Sequence, residues 1–416
     1  MNEPHAVPVV EVAEEDGQST QWNTRALEDI LLKPKYADKK VVLVSVVGAY
    51  RKGKSFLLNF FLRFMVSITV DNTGERIDCG PNDWLSPSSK LGGFSWRHGC
   101  TPNTKGILIW SEPFLVKNKN GEEVVVLLMD TQGTFDSNTT MKDCATIFAL
   151  SALISSVQIY NVSQNIQEDD LQHLQLFTEY GRLVKKTPGS KPFQSLTFLI
   201  RDWSYPDDAG FGFEGGQTIL NKRLEVKKNQ HAELQQLRQH IRGCFEEIQC
   251  FLLPHPGLYA ANNSKFDGNL DQVEPEFKKQ LQVFVPKLLH PDNLVLKKVN
   301  NVEITCRELL EYFKAYMTVF QGEDLPELKT VFKATAEVNN MVAVKTACST
   351  YKTEMGLECG EDTPVILTTH LLSELHKRCR DEAIKVFNDK KMGDDAFTLK
   401  FLETLEKDLE VSQIDE

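Results

Sequence analysis

The sequence predicts an α/β domain built on a mostly parallel sheet, followed by an all-α three-helix bundle. Two patterns carry this expectation. From Val41 onward, short apolar runs rich in β-branched residues alternate with longer mixed segments, as strands wrapped by helices do. Beyond roughly residue 305 the alternation gives way to helical spacing. With 416 residues, 41% apolar and 25% charged, the chain has globular composition and room for two or three domains.

Residues 1–22 lack periodicity and carry Glu11, Glu14, Glu15 and Asp16, so they read as a flexible N-terminal arm. The candidate strands are Val41–Val47, Ile107–Val116, Val124–Met129, Val157–Val162, Ser195–Ile200 and Cys250–Leu253. Several are apolar on both faces, as buried parallel strands are. Helix candidates between them are Lys54–Val66, Thr140–Ser155, Glu168–Leu183 and Ala232–Ile248. The acidic trio Glu168-Asp169-Asp170 suits the start of its helix. Leu309, Leu310, Phe313, Met317 and Phe320 recur at helical spacing and close the α/β domain, 23–320. A linker-like segment, 321–330, follows. The remainder, 331–416, holds helix candidates near 331–356, 368–390 and 394–411, separated by Gly/Pro-bearing turns.

Composition narrows the function classes. A net charge of −11 argues against nucleic acid as a partner. Nine scattered cysteines with no C-x-x-C pair read as reduced cytosolic thiols, neither a disulfide framework nor a zinc site. No signal segment opens the chain and no apolar run is long enough to span a bilayer, so the chain itself is expected to be soluble. His173 and His255 have no partner at metal-ligand spacing.

The chemistry begins at Gly48-Ala49-Tyr50-Arg51-Lys52-Gly53-Lys54-Ser55, a G-x-x-x-x-G-K-[ST] loop between a buried strand and a helix. Gly48 and Gly53 let backbone N–H groups converge on phosphate oxygens. Lys54 is expected to reach the β- and γ-phosphates, and the Ser55 hydroxyl to ligate Mg²⁺. The next strand delivers Asp130-Thr131-Gln132-Gly133. A carboxylate at that edge holds Mg²⁺ through water, and the Gly133 N–H can sense a γ-phosphate. Between the two motifs, the polar segment 97–106 is the natural switch loop; Thr101 and Thr104 are its hydroxyl candidates for Mg²⁺, and spacing does not choose between them.

Strand Ser195–Ile200 runs into Arg201-Asp202. An ionised Asp accepts both donors that guanine presents, N1–H and the 2-amino group, and is left unpaired by adenine. Arg201 is expected to stack on the base.

These residues carry a family resemblance. The runs Gly48 to Phe56, Gly93-Phe94-Ser95-Trp96-Arg97, Leu128 to Ser137, Gln158-Ile159-Tyr160-Asn161 through Tyr180-Gly181-Arg182, Arg201-Asp202-Trp203-Ser204, Pro254-His255-Pro256-Gly257 and Glu311 to Tyr316 are similar to those of the atlastins. Atlastins are dynamin-superfamily GTPases that fuse endoplasmic reticulum membranes, and the resemblance covers residues 25 to 410. It implies a GTPase domain joined by a short linker to a three-helix middle domain. It also implies GTP-dependent homodimerisation in trans, homotypic membrane fusion and network branching. The membrane hairpin and amphipathic tail that anchor the family lie beyond the last residue here, so the anchor is absent from this chain. Location on the cytoplasmic face of the endoplasmic reticulum membrane is implied with them.

Residue by residue, the resemblance implies that Arg51 is a P-loop arginine, Thr104 the switch threonine, and Arg201-Asp202 the guanine-recognition pair. It places Lys52, Gly53, Lys54, Ser55, Phe56 and Gln132 against the nucleotide, with Ala260 and Asn263 capping the base. The switch segment departs from the family pattern at His98 and Lys105. The linker lacks a second proline.

Small GTPases place a water-orienting glutamine directly after D-x-x-G, where this chain has Thr134. Hydrolysis must be supported otherwise, and the resemblance implies that Arg51, an arginine finger supplied in cis, carries it with Lys54 and Thr104. Two other readings stay open: a guanylate-binding-protein-like defence GTPase, and a GTP-gated tether with little turnover.

Overall fold

The computed structural model describes residues 3–11, 21–69, 83–86, 90–96, 104–133, 140–182, 191–321, 325–359 and 369–414. Its centre is a parallel array of β6 (Glu123–Thr131), β3 (Lys40–Gly48), β7 (Val157–Ser163), β8 (Phe193–Arg201) and β9 (Phe245–Leu252), adjacent in that order. Alternate β3 residues face opposite cores: Val41, Leu43 and Val47 on one side, Val42, Val44 and Val46 on the other. Burial on both faces explains why these strands read as continuous apolar runs. It also delivers Gly48, Thr131, Ser163 and Arg201 to one edge of the sheet, where ligands of open parallel sheets bind.

Helices α2 (Lys54–Ile68), α3 (Met141–Ile154), α4 (Glu168–Arg182), α5 (Phe213–Leu224), α6 (Ala232–Cys244), α7 (Leu258–Asn262), α8 (Pro275–Leu289) and α9 (Cys306–Phe320) cover the sheet. Helix α9 opens on a reciprocal cap between Thr305 and Glu308. In the C-terminal bundle, α10 (Leu328–Cys359), α11 (Thr369–Lys390) and α12 (Asp395–Ile414) share a core that includes Ala347, Tyr351, Cys379, Phe387 and Leu405. Val331 and Val338, near the start of α10, belong instead to the core under the sheet.

Four expectations need correction. Residues 6–11 are no loose arm: they form β1, antiparallel to β4 (Ile107–Trp110), with Val9 and Val10 fully buried. Apolar Val7, Val9 and Val10 outweigh the acidic composition downstream of them. Ile107–Val116 is two strands, β4 and β5 (Phe114–Lys117), interrupted around Pro113, which has no N–H to continue a ladder. The helix expected through Ile248 ends at Cys244, where aromatic Phe245 opens β9. Helix α10 begins inside the expected linker. Among the described residues no disulfide forms, no three His, Cys, Asp or Glu side chains are grouped so as to hold a metal ion, and no helix is long and apolar enough to cross a membrane.

At the floor of the sheet, opposite the ligand edge, Lys297 is buried with its Nζ donating to Ser155 O at 2.9 Å. Its N–H donates to Val41 O at 2.8 Å, at the start of β3. Burial alone pulls this ammonium from 10.5 down to about 7. Above about pH 7 the folded protein has released a proton that the unfolded chain still holds, so stability rises with pH until the unfolded lysine titrates. The thermal midpoint of the nucleotide-free protein is expected to rise between about pH 6 and pH 9. Lys297→Met should flatten that slope and raise the low-pH midpoint. A slope unchanged by the substitution would assign it elsewhere.

Candidate functional site: a nucleotide cradle at the sheet edge

The P-loop spans the gap between β3 and α2. Lys54 is buried, and its Nζ donates to Ala49 O at 3.2 Å, curling back over the loop. Burial pulls the ammonium down to about 8 against the opposing pull of Asp130. Asp130, fully buried at the end of β6, is pushed upward by the same desolvation, opposed by Lys54, Ser55 and Thr104.

Three oxygen ligands converge beside this pair. The Ser55 hydroxyl donates to Asp130 Oδ2 at 2.6 Å and the Thr104 hydroxyl to the same oxygen at 2.8 Å, with the two hydroxyls 3.2 Å apart. Asp130 Oδ1 is buried with no hydrogen-bond partner. Hydroxyl and carboxylate oxygens grouped around an unsatisfied carboxylate oxygen suit a small hard cation, so the residues fit Mg²⁺. Spacing left Thr101 and Thr104 open and the resemblance implied Thr104, whose hydroxyl the structure brings to Asp130. Thr101, the rest of the switch segment 97–103, and Thr134 lie outside the described residues.

Gly133 closes the cradle from the β6 side. A Cβ there would lie 2.0 Å from Tyr50 Cα, so only glycine lets this backbone lie against the P-loop. Gln132 ties the same turn to the switch exit: its N–H donates to Gly106 O at 2.6 Å and its Oε1 accepts the Gly106 N–H at 2.7 Å. Arg51 and Lys52 are exposed at the rim, and their side chains make no hydrogen bond or ion pair among the described residues. Arg51 adopts φ 60°, left-handed backbone that a long side chain rarely takes. Phe56 turns inward, its ring 5.1 Å from Phe60, 5.4 Å from Trp96 and 6.2 Å from Phe266.

Arg201 and Asp202 reach the same edge from β8, but the arginine does not stand out for stacking. Its guanidinium is buried beneath the P-loop, with Nη1 donating to Lys52 O beside Gly53 and Nη2 at 4.0 Å from Asp202 Oδ1. Asp202, half-buried at φ 58°, is free to accept. Trp203 N donates to Leu253 O at 3.1 Å, linking this turn to the end of β9 and so to α7. Ala260 is buried in α7, and the Asn263 side chain accepts the Lys265 N–H at 2.9 Å. Asn161, not among the sequence candidates, lies fully buried under the P-loop. A polar residue two positions before the end of a buried strand was its only local signal.

Fold and site together define a P-loop GTPase with an appended helical domain. Comparison with known sequences agrees: residues 17–298 match the guanylate-binding protein N-terminal domain and 300–415 its C-terminal domain. The chain is 52% identical over 412 residues to Atlastin-2 of Xenopus laevis, covering 99% of this chain and 70% of that protein. Atlastin-2 of Homo sapiens is 50% identical over 412 residues, covering 99% of this chain and 68% of that protein. Atlastin of Drosophila melanogaster is 51% identical over 407 residues, covering 97% of this chain and 73% of that protein. The chain belongs to the atlastin family, and so is a dynamin-like GTPase of endoplasmic reticulum membrane fusion.

Base selection yields a direct prediction. Asp202→Asn keeps a residue type that tolerates left-handed backbone, yet turns one acceptor into a donor. GTP should lose about 10²-fold in kcat/KM, while xanthosine triphosphate, with a carbonyl in place of the 2-amino group, should gain. Unchanged preference between the two nucleotides would remove Asp202 from the base site.

Proposed function

We propose that this chain binds Mg²⁺·GTP at the sheet edge and hydrolyses it to GDP and phosphate, and that GTP-dependent pairing of two copies across this face tethers membranes in trans. The observation that carries the reading is the convergence of Ser55 and Thr104 on Asp130 beside buried Lys54, with Arg51 exposed at the rim. Ser55 and Thr104 would hold Mg²⁺ directly and Asp130 through water. When bound, the cation neutralises charge on the β- and γ-phosphates.

Backbone N–H groups from Lys52 to Ser55 bind phosphate, with Phe56 packed behind them. Lys54 pairs the β- and γ-phosphates, and the Gly133 N–H faces the γ-phosphate. Gln132 keeps the switch exit closed on the nucleotide. Arg51 neutralises charge that develops in the transition state. Asp202 reads guanine, Arg201 backs the P-loop, and the segment with Ala260 and Asn263 caps the base.

The GTPase domain extends over 23–320 with β1 added to its sheet, the segment before Leu328 joins it to the bundle, and α10, α11 and α12 form the middle domain. Attachment to the cytoplasmic face of the endoplasmic reticulum membrane through a C-terminal anchor is assigned by likeness to the family. The net charge of −11 argues against nucleic acid as a partner, and the partner proposed is a second copy of this chain. The test is light scattering of vesicles carrying this chain on an artificial anchor. GTP with Mg²⁺ should cluster them and GDP should not, and phosphate release per chain should rise with protein concentration. Clustering without turnover would support a nucleotide-gated tether instead.

A further inference from the structure

Asn161 touches the P-loop at both ends. In β7 it lies opposite Gly48 in parallel register, and a Cβ on Gly48 would fall 2.2 Å from the Asn161 carbonyl oxygen. Its side chain then reaches along the loop, Nδ2 donating to Lys52 O at 2.9 Å. Arg201 Nη1 donates to that same carbonyl, whose two lone pairs accommodate both. Two buried side chains, from β7 and β8, thus pin the peptide group that follows the Arg51-Lys52 bond.

That peptide neighbours two left-handed residues, Arg51 at φ 60° and Gly53 at φ 69°. Glycine adopts this conformation freely; an arginine keeps it only where the surroundings impose it. The Arg51 and Lys52 side chains are exposed and make no hydrogen bond or ion pair among the described residues, so the backbone alone aims Arg51. The amide at 161 is also not there for stability. Its Oδ1 is buried without a partner, a desolvation cost that no hydrogen bond offsets.

We infer that Asn161 is a positioning residue for GTP hydrolysis, which holds Arg51 in its left-handed conformation through the Lys52 carbonyl. The inference rests on the reading of Arg51 as the group that stabilises the transition state.

The test compares four proteins in steady-state phosphate release with Mg²⁺·GTP: the parental chain, Asn161→Leu, Arg51→Ala and the double variant. Asn161→Leu should lower kcat by about tenfold with KM within about threefold, the mark of an interaction that matters only in the transition state. Adding Asn161→Leu to Arg51→Ala should lower kcat no further, because the group it positions is already gone. Equal losses in both backgrounds, a change in KM alone, or parental kcat in Asn161→Leu while Arg51→Ala is impaired would each overturn the inference. Parental turnover by Arg51→Ala alone would instead overturn the reading of Arg51. Asn161→Ser, whose hydroxyl is too short to reach the Lys52 carbonyl, repeats the comparison if the leucine variant does not fold, and the same losses are expected of it.

Discussion

Lys54→Met is expected to weaken GTP binding by about 10²–10⁴-fold, and with it to remove steady-state hydrolysis at ordinary GTP concentrations. The magnitude follows from the proposal that Lys54 donates two charge-assisted hydrogen bonds to the β- and γ-phosphates, each worth roughly 1.5–3 kcal/mol, with about 1.4 kcal/mol per tenfold. Stability should move the other way. The Lys54 ammonium is buried, with Ala49 O at 3.2 Å as its hydrogen-bond acceptor, and burial pulls it down to about 8. A methionine of similar length removes a buried charge at little cost in volume, and Asp130, whose carboxyl burial already pushes upward, takes up a proton in place of the lost countercharge. The nucleotide-free thermal midpoint should therefore hold or rise, while the increase produced by GDP or GTP disappears. A Lys54→Met protein that retained its nucleotide-induced shift would refute the placement of the phosphates.

Arg51→Ala should lower kcat by about 10³-fold or more, with KM for GTP little changed, because a cis arginine finger acts on charge that appears in the transition state. Backbone geometry adds a second arm to this experiment. At φ 60°, alanine is strained where glycine is not, by roughly 1 kcal/mol. Arg51→Gly should therefore match Arg51→Ala in kcat yet exceed it in thermal midpoint. Parental turnover in either variant would sink the catalytic assignment and leave Arg51 as a surface residue.

Much of the site is legible because its chemistry is written in contiguous residues. The P-loop, Asp130 to Gly133 and Arg201-Asp202 each sit at the end of a strand whose apolar run announces it, and the parallel sheet brings those ends to one edge. The choice of Thr104 was not open to spacing, since two threonines three residues apart offer the same hydroxyl. The family resemblance implied Thr104, and the fold places its hydroxyl 2.8 Å from Asp130. The helix and strand boundaries around Phe245 and Pro113 slipped because apolar runs do not by themselves say where one period yields to another.

Arg201 shows the limit most clearly. Its sequence neighbourhood points to the base, whereas its guanidinium binds a carbonyl 149 residues earlier in the chain. Asn161 binds the same carbonyl across 109 residues. The sequence by itself determined the α/β class with its helical C-terminal domain, the phosphate-binding chemistry and the family, because periodicity and motif spacing are local. The tertiary structure alone decided that residues 6–11 join the sheet and that Asn161 and Arg201 fasten the P-loop from below. Those are contacts between distant segments, and no local pattern records which buried donor will meet which backbone carbonyl once the strands are packed side by side.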